Sequence, residues 1–362
     1  MRQSLTKTNL GLSYCRALAT IAIITLHTGF VLSTHLKFKM MDNIILRIFV
    51  NCSMWAVPVF LMVTGSLLLD ENRKLTLNKL LKKYVVRILL SIVIFVAIYQ
   101  IVDILLDNKK INLKQLLIYI ENLYRGKSYS PMWYLYMLIG LYLMMPMYRA
   151  FIKASDKNEI KFILFVYIIF ISIIPIIGVF KFKSGFYIHE LTIYPFYLFV
   201  GYALNKGIVR INKYKATILF LISTIILSVL TYYRWIINYA NLEVFWGYSS
   251  PIVIIQSIGI FTLIMGYSKS LEWQNIKNNI GNDKTIIKNF SYLLKKIDEN
   301  SFGIYLVHII LIRIFTNRHI LINLINSLPI CFTLSILVII NLILSYFIVI
   351  IIKKLPIFKS IL

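Results

Sequence analysis

Apolar stretches of about twenty residues, each long enough to cross the roughly 30 Å hydrocarbon core of a bilayer as a helix, recur along the whole chain. Ten can be read, at 12–32, 45–69, 84–106, 131–152, 161–180, 188–205, 215–236, 246–267, 301–321 and 330–352. Inside hydrocarbon the backbone has no water to bond, so every N–H and C=O must be satisfied by the chain, as a helix does. The sequence therefore predicts an all-α fold: a polytopic integral membrane helical bundle of about ten transmembrane helices. A mean hydropathy of +0.78 and an apolar share of 59% agree. The longest gap, 268–300, is too short for a soluble domain, so 1–362 reads as a single transmembrane domain.

The net charge of +25 would point to nucleic acid in a soluble protein. Its distribution points elsewhere. With the N-terminus inside, 25 of the 39 Lys and Arg fall on cytoplasmic segments, Arg73, Lys74, Lys79, Lys82, Lys83 and Arg87 among them. That bias places both termini in the cytoplasm. It assigns the charge to topology and membrane lipid, and no nucleic-acid partner is expected. Cys15, Cys52 and Cys331 are too few and scattered for a disulfide framework, and no Cys/His spacing suggests a metal. The N-terminus has the basic start and apolar core of a signal peptide but no small-residue cleavage site, so a retained first helix is expected.

Two amphipathic patterns lie outside the spans. Leu113, Leu116, Leu117, Ile120 and Tyr124 follow helical spacing on the outer side, and Ile286, Phe290, Leu293, Leu294 and Ile297 on the cytoplasmic side. Both suit a helix lying in the membrane interface. The second suits equally a roof over a cytoplasmic entrance.

Ionisable groups inside a bilayer are costly and mark function. Arg16 and His27 both fall in the first span, eleven residues apart. At about 100° per residue that is within roughly 20° of three full turns, so both lie on one helical face, roughly 16 Å apart along the axis. A cation near one mouth of a cavity and an imidazole deep inside suggest chemistry reached from two sides. The plainer reading is a snorkelling arginine and a satisfied histidine.

Five stretches then line up in chain order. They are Arg16-ALATIAIITL-His27, VPVFLMVTG at 57–65, Met132-WYLYMLIGLYLMM-Pro146, Tyr197-LFVG-Tyr202 and Ser301-FGIYLV-His308. Together they resemble the membrane acyltransferase-3 superfamily, in particular its single-domain members that O-acetylate surface polysaccharides. Two departures stand out. Ser13 sits where the family often has an acid three residues before the arginine, and a cytoplasmic RxxR reads Tyr84-VV-Arg87 here.

The resemblance implies a bacterial multi-pass protein of the cytoplasmic membrane. It implies transfer of an acyl group, acetyl by resemblance, from acyl-CoA to a hydroxyl of a surface glycan or its lipid-linked sugar precursor, with no metal. Polysaccharide-assembly proteins are possible partners. His27 would be the general base or, as the second option, carry the acyl group itself. Arg16, counted with it as catalytic, would also hold a phosphate or the pantetheine region of acetyl-CoA. Arg87 and Lys83 are topology charges first and candidates for the donor's phosphates second. Ser301, Tyr305 and His308 share a face at i, i+4 and i+7. Tyr305 and His308 either line the donor path or form a polar seam between helices. On the outer side Glu190, with His189, Tyr187 and Tyr194, and Glu243, with Trp246 and Tyr248, pair a carboxylate with aromatic rings, as sugar sites do. Such rings at span ends are also ordinary interfacial anchors. The alternative function on the same fold is a proton-coupled small-molecule transporter or a polysaccharide-export accessory. Against the transporter stands the lack of a long-period repeat or of paired broken helices.

Overall fold

A computed structural model describes residues 9–35, 38–108, 112–126, 130–177, 192–238, 240–277, 284–317 and 328–362. Its helices are α1 (Leu10–His35), α2 (Met40–Cys52), α3 (Ala56–Leu68), α4 (Leu77–Leu106), α5 (Leu113–Arg125), α6 (Trp133–Leu143) and α7 (Met145–Ala154). They continue with α8 (Lys157–Ile177), α9 (Ile193–Asn205), α10 (Lys213–Ile236), α11 (Pro251–Lys277), α12 (Lys284–Asn317), α13 (Ile330–Ile352) and α14 (Pro356–Ile361). Among the described residues eight helical stretches are long and apolar enough to cross a membrane, and nine if α6 and α7 form one span bent by 50°. The bend falls just before Pro146, whose ring removes a backbone donor and breaks the helical ladder. The expected span 188–205 is described from Thr192, and its helix α9 has 13 residues, roughly 20 Å, less than a bilayer core.

The chain divides into two compact units, 1–70 with 155–301 and 71–154 with 302–362. In the first, α9 is buried against α3 through an exchange of glycines. A Cβ on Gly65 would meet the Leu198 carbonyl oxygen at 2.0 Å, and one on Gly201 would meet that of Met62 at 2.0 Å. Only glycine lets the two backbones touch. Ser66 crosses the same seam, donating to the Gly201 carbonyl at 2.8 Å. Around this pair α1 packs on α2, α3 and α11, and α2 on α10. Polar links fix the latter: Asn51 donates to Thr231 Oγ1 at 2.9 Å, and Gln256 to the Cys52 carbonyl at 3.1 Å and Thr224 Oγ1 at 3.0 Å.

The second unit holds α4 to α7, α13, α14 and the later half of α12. Tyr99 donates to the Leu306 carbonyl at 2.7 Å, Tyr305 to that of Pro131, and Asn341 to that of His308 at 3.1 Å. Helix α5 is capped by Asn112, whose side chain accepts from the Gln115 N–H, and closed by Gly126 at φ 62°. Leu113, Leu116, Leu117, Ile120 and Tyr124 are exposed on it, the apolar face expected of an interfacial helix. Its other side is tied down by Gln100, Tyr119 and Tyr136. The second amphipathic segment is not a separate helix: α12 runs unbroken from Lys284 to Asn317, burying Leu294 and Ile297 and exposing Phe290 and Leu293.

Candidate active site

Helix α1 is regular over Leu10–His35, so Arg16 and His27 do share one face. Arg16 is held by a carboxylate that the sequence reading left out. Its guanidinium donates through Nε to Asp298 Oδ1 at 2.5 Å and through Nη2 to Oδ2 at 2.9 Å, a two-pronged pair. Ser13, one turn earlier, donates its hydroxyl to the same Oδ2 at 2.5 Å, and Tyr14 bonds Ser291 at 2.6 Å. Position 13 therefore lacks the family's acid but donates to one borne by α12. The Asp298 side chain is 8% exposed and that of Arg16 30%, so the pair is sunk while one edge of the guanidinium, at Nη1, stays outside it. A pair this buried holds its geometry firmly, because loss of one member strands the other charge.

His27 is half-buried on α1, inside the stretch Leu10–Thr34 that qualifies as a span. Asp298 escaped notice because it precedes the apolar stretch 301–321 and is 282 residues from its partner. The available signal was a carboxylate one turn before Ser301 in a chain with only 14 acids.

The donor-side candidates lie in the second unit. Arg87 is occupied: Nε and Nη2 donate to the Ile361 and Leu362 carbonyls at 2.6 and 2.7 Å, and its guanidinium stands 5.0 Å from the centre of the Phe302 ring. It ties the end of the chain, from α14, to α4. Lys83 is exposed on a π-helical turn, Leu80–Val85. Tyr84, in the family's arginine position, accepts from Arg73 Nη2 at 2.6 Å and packs edge-on against Tyr142. A guanidinium thus reaches position 84 from elsewhere in the chain. Tyr305 and His308 neighbour each other, ring centres 5.8 Å apart, but His308 is fully buried, with Nδ1 3.2 Å from the Ile304 carbonyl oxygen of its own helix. The Tyr305 hydroxyl donates to the Pro131 carbonyl, and the backbone carbonyl of His308 accepts from Asn341.

On the expected outer side, Glu190 lies outside the described residues. Glu243 is 57% exposed and accepts from Arg234 at 3.1 and 2.8 Å. Among the described residues no three His, Cys, Asp or Glu side chains gather as a metal would need.

A polytopic all-helical membrane protein with an arginine–aspartate pair between two helices, and an imidazole on the arginine's helix, is the class these observations define. The chain belongs to the acyltransferase-3 family: the family model described as an acyltransferase domain matches residues 9–352. It is a membrane acyltransferase. No curated protein and no solved structure matches it.

Proposed function

We propose that this chain is an O-acyltransferase that moves an acetyl group from cytoplasmic acetyl-CoA to a hydroxyl of a cell-surface polysaccharide or its lipid-linked precursor. The observation that carries the reading is the common face of Arg16 and His27 on α1, with Arg16 fixed by Asp298. His27 takes the proton of the acceptor hydroxyl as its oxygen attacks the thioester carbonyl carbon. The new C–O bond forms, the C–S bond breaks, and CoA leaves as a thiolate that regains the proton from the imidazolium. Arg16, neutralised along one edge by Asp298, offers its remaining edge to the donor or to the developing oxyanion. The exposed Lys83, on the side the positive-inside pattern assigns to the cytoplasm, suits the donor's phosphates better than Arg87, which is engaged with α14. The test is transfer of label from radiolabelled acetyl-CoA into envelope glycan by membranes carrying the wild type or His27→Ala at equal protein level. Incorporation lost in the variant is the expected result; full incorporation by His27→Ala would remove the imidazole from the mechanism.

A further inference from the structure

A second arginine, of opposite character to Arg16, lies against a ring that α1 carries one turn beyond His27. Arg47, on α2, has its guanidinium carbon 5.3 Å from the ring centre of Phe30 and 5.4 Å from that of Trp235. Phe30 follows His27 by three residues on α1, so the ring that faces the cation is borne on the same side of that helix as His27, about 4.5 Å further along its axis at the backbone. Trp235 also carries the guanidinium of Arg234, at 5.3 Å, so two cations flank one indole. Among the described residues the carboxylate that answers them is Glu243, and it bonds Arg234. Nε of Arg47 is buried with no hydrogen-bond partner among the described residues. On the same face of α2, one turn earlier, Oδ1 of Asn43 is buried and equally without a partner.

A buried donor and a buried acceptor left unmade are each costly, and proteins satisfy such groups with something. The missing piece has a definite chemistry. It presents an anionic oxygen to Arg47 and, one helical turn away, a hydroxyl or amide N–H to Asn43. The apolar flanks raise the worth of the charge contact by excluding water. Arg47 and Asn43 lie in the half of α2, and Trp235 at the end of α10, that the positive-inside pattern assigns to the exterior.

We infer that Arg47, Asn43 and Trp235 form the acceptor's anchoring site, and that the acceptor is an acidic glycan, carrying a carboxylate or phosphate beside free hydroxyls. This rests on the acyl-transfer reading and adds the substrate class to it. The site holds the anion while a neighbouring hydroxyl reaches His27. Arg47 and Asn43 are positioning residues and take no part in bond making.

The test is equilibrium binding to the full-length protein in phosphatidylcholine nanodiscs, without acyl donor, so that its failure stays distinct from a failure of acyl transfer. The probes are an oligogalacturonate, a glycerol-phosphate oligomer and a neutral malto-oligosaccharide of equal length. The expected result is binding of at least one anionic probe and not the neutral one, weakened about tenfold or more by Arg47→Gln and about threefold by Asn43→Ala. Arg47→Lys, which keeps the charge and loses the fork, falls between wild type and Arg47→Gln and guards against a folding defect. Equal binding of the neutral probe, no binding by the wild type, or unaltered binding by Arg47→Gln overturns the inference. So does phosphatidylglycerol that co-purifies with the wild type and is lost with Arg47→Gln while no glycan probe binds; the site would then hold a lipid headgroup.

Discussion

Two arginines on helices that pack together, Arg16 on α1 and Arg47 on α2, meet the membrane in opposite ways. Arg16 is matched by a carboxylate bonded at two points and supported by Ser13. Arg47 is matched by two aromatic faces and has an orphaned Nε. A cation whose counter-ion belongs to the chain is a fixed part of the architecture. A cation faced by rings, whose neighbouring carboxylate Glu243 is bonded to another arginine, is a place for an anion to bind. The contrast is testable as stability. Asp298→Ala strands the Arg16 charge, and the expected cost is about 3–5 kcal/mol. It would be read as a large fall in the thermal midpoint of the detergent-solubilised protein. A change no larger than that of a surface substitution would mean that water already reaches Arg16 and that the two arginines do not differ.

The comparison sharpens with the double variant Arg16→Met/Asp298→Leu. Apolar replacement removes both charges and both desolvation costs, so stability should return most of the way, with a coupling of about 1–3 kcal/mol between the sites. Acyl transfer should not return, because the guanidinium edge outside the pair is gone. Recovery of both would reduce Arg16 to a structural role.

How much of this could be read from the chain depends on whether the informative partner was near in sequence. The helices were legible because hydropathy is local, and so was the common face of Arg16 and His27, because a single helix fixes it. Asp298 was not, being paired across 282 residues and lying before the stretch taken as its helix. The fit of Gly65 to Leu198 and of Gly201 to Met62 is equally non-local: along the seam where Ser66 meets Gly201, 135 residues on, two helices meet backbone to backbone. Nothing near Arg87 in the sequence shows that it bonds the Ile361 and Leu362 carbonyls. Nothing near Arg47 in the sequence marks it out. Only the rings of Phe30 and Trp235, from two other helices, give it a setting.

Arg47→Met is the reverse of Asp298→Ala. It removes two cation–π contacts and one unmade hydrogen bond together, which nearly cancel, so the expected change in stability is within about 1 kcal/mol of either sign. A loss as large as that of Asp298→Ala would show that Arg47 is a pillar of the fold and not a site awaiting an anion.

The smallest effect is the most discriminating. Glu243 has the composition of a sugar contact, an acid beside aromatic residues, and on that view Glu243→Gln weakens acceptor binding. In the structure Glu243 bonds Arg234 and acts electrostatically on Arg47. As a negative charge beside two positive ones, it lowers the pull of the cluster on an anion. Glu243→Gln should therefore tighten binding of an oligogalacturonate, by about two- to threefold, since a charge several ångströms away at a half-exposed site is worth well under 1 kcal/mol. The gain should shrink as salt is raised towards 0.5 M, where screening falls below about 5 Å. Weaker binding in the variant would return Glu243 to direct contact with the sugar; tighter binding that fades with salt would make it the residue that tunes how strongly Arg47 attracts its anion.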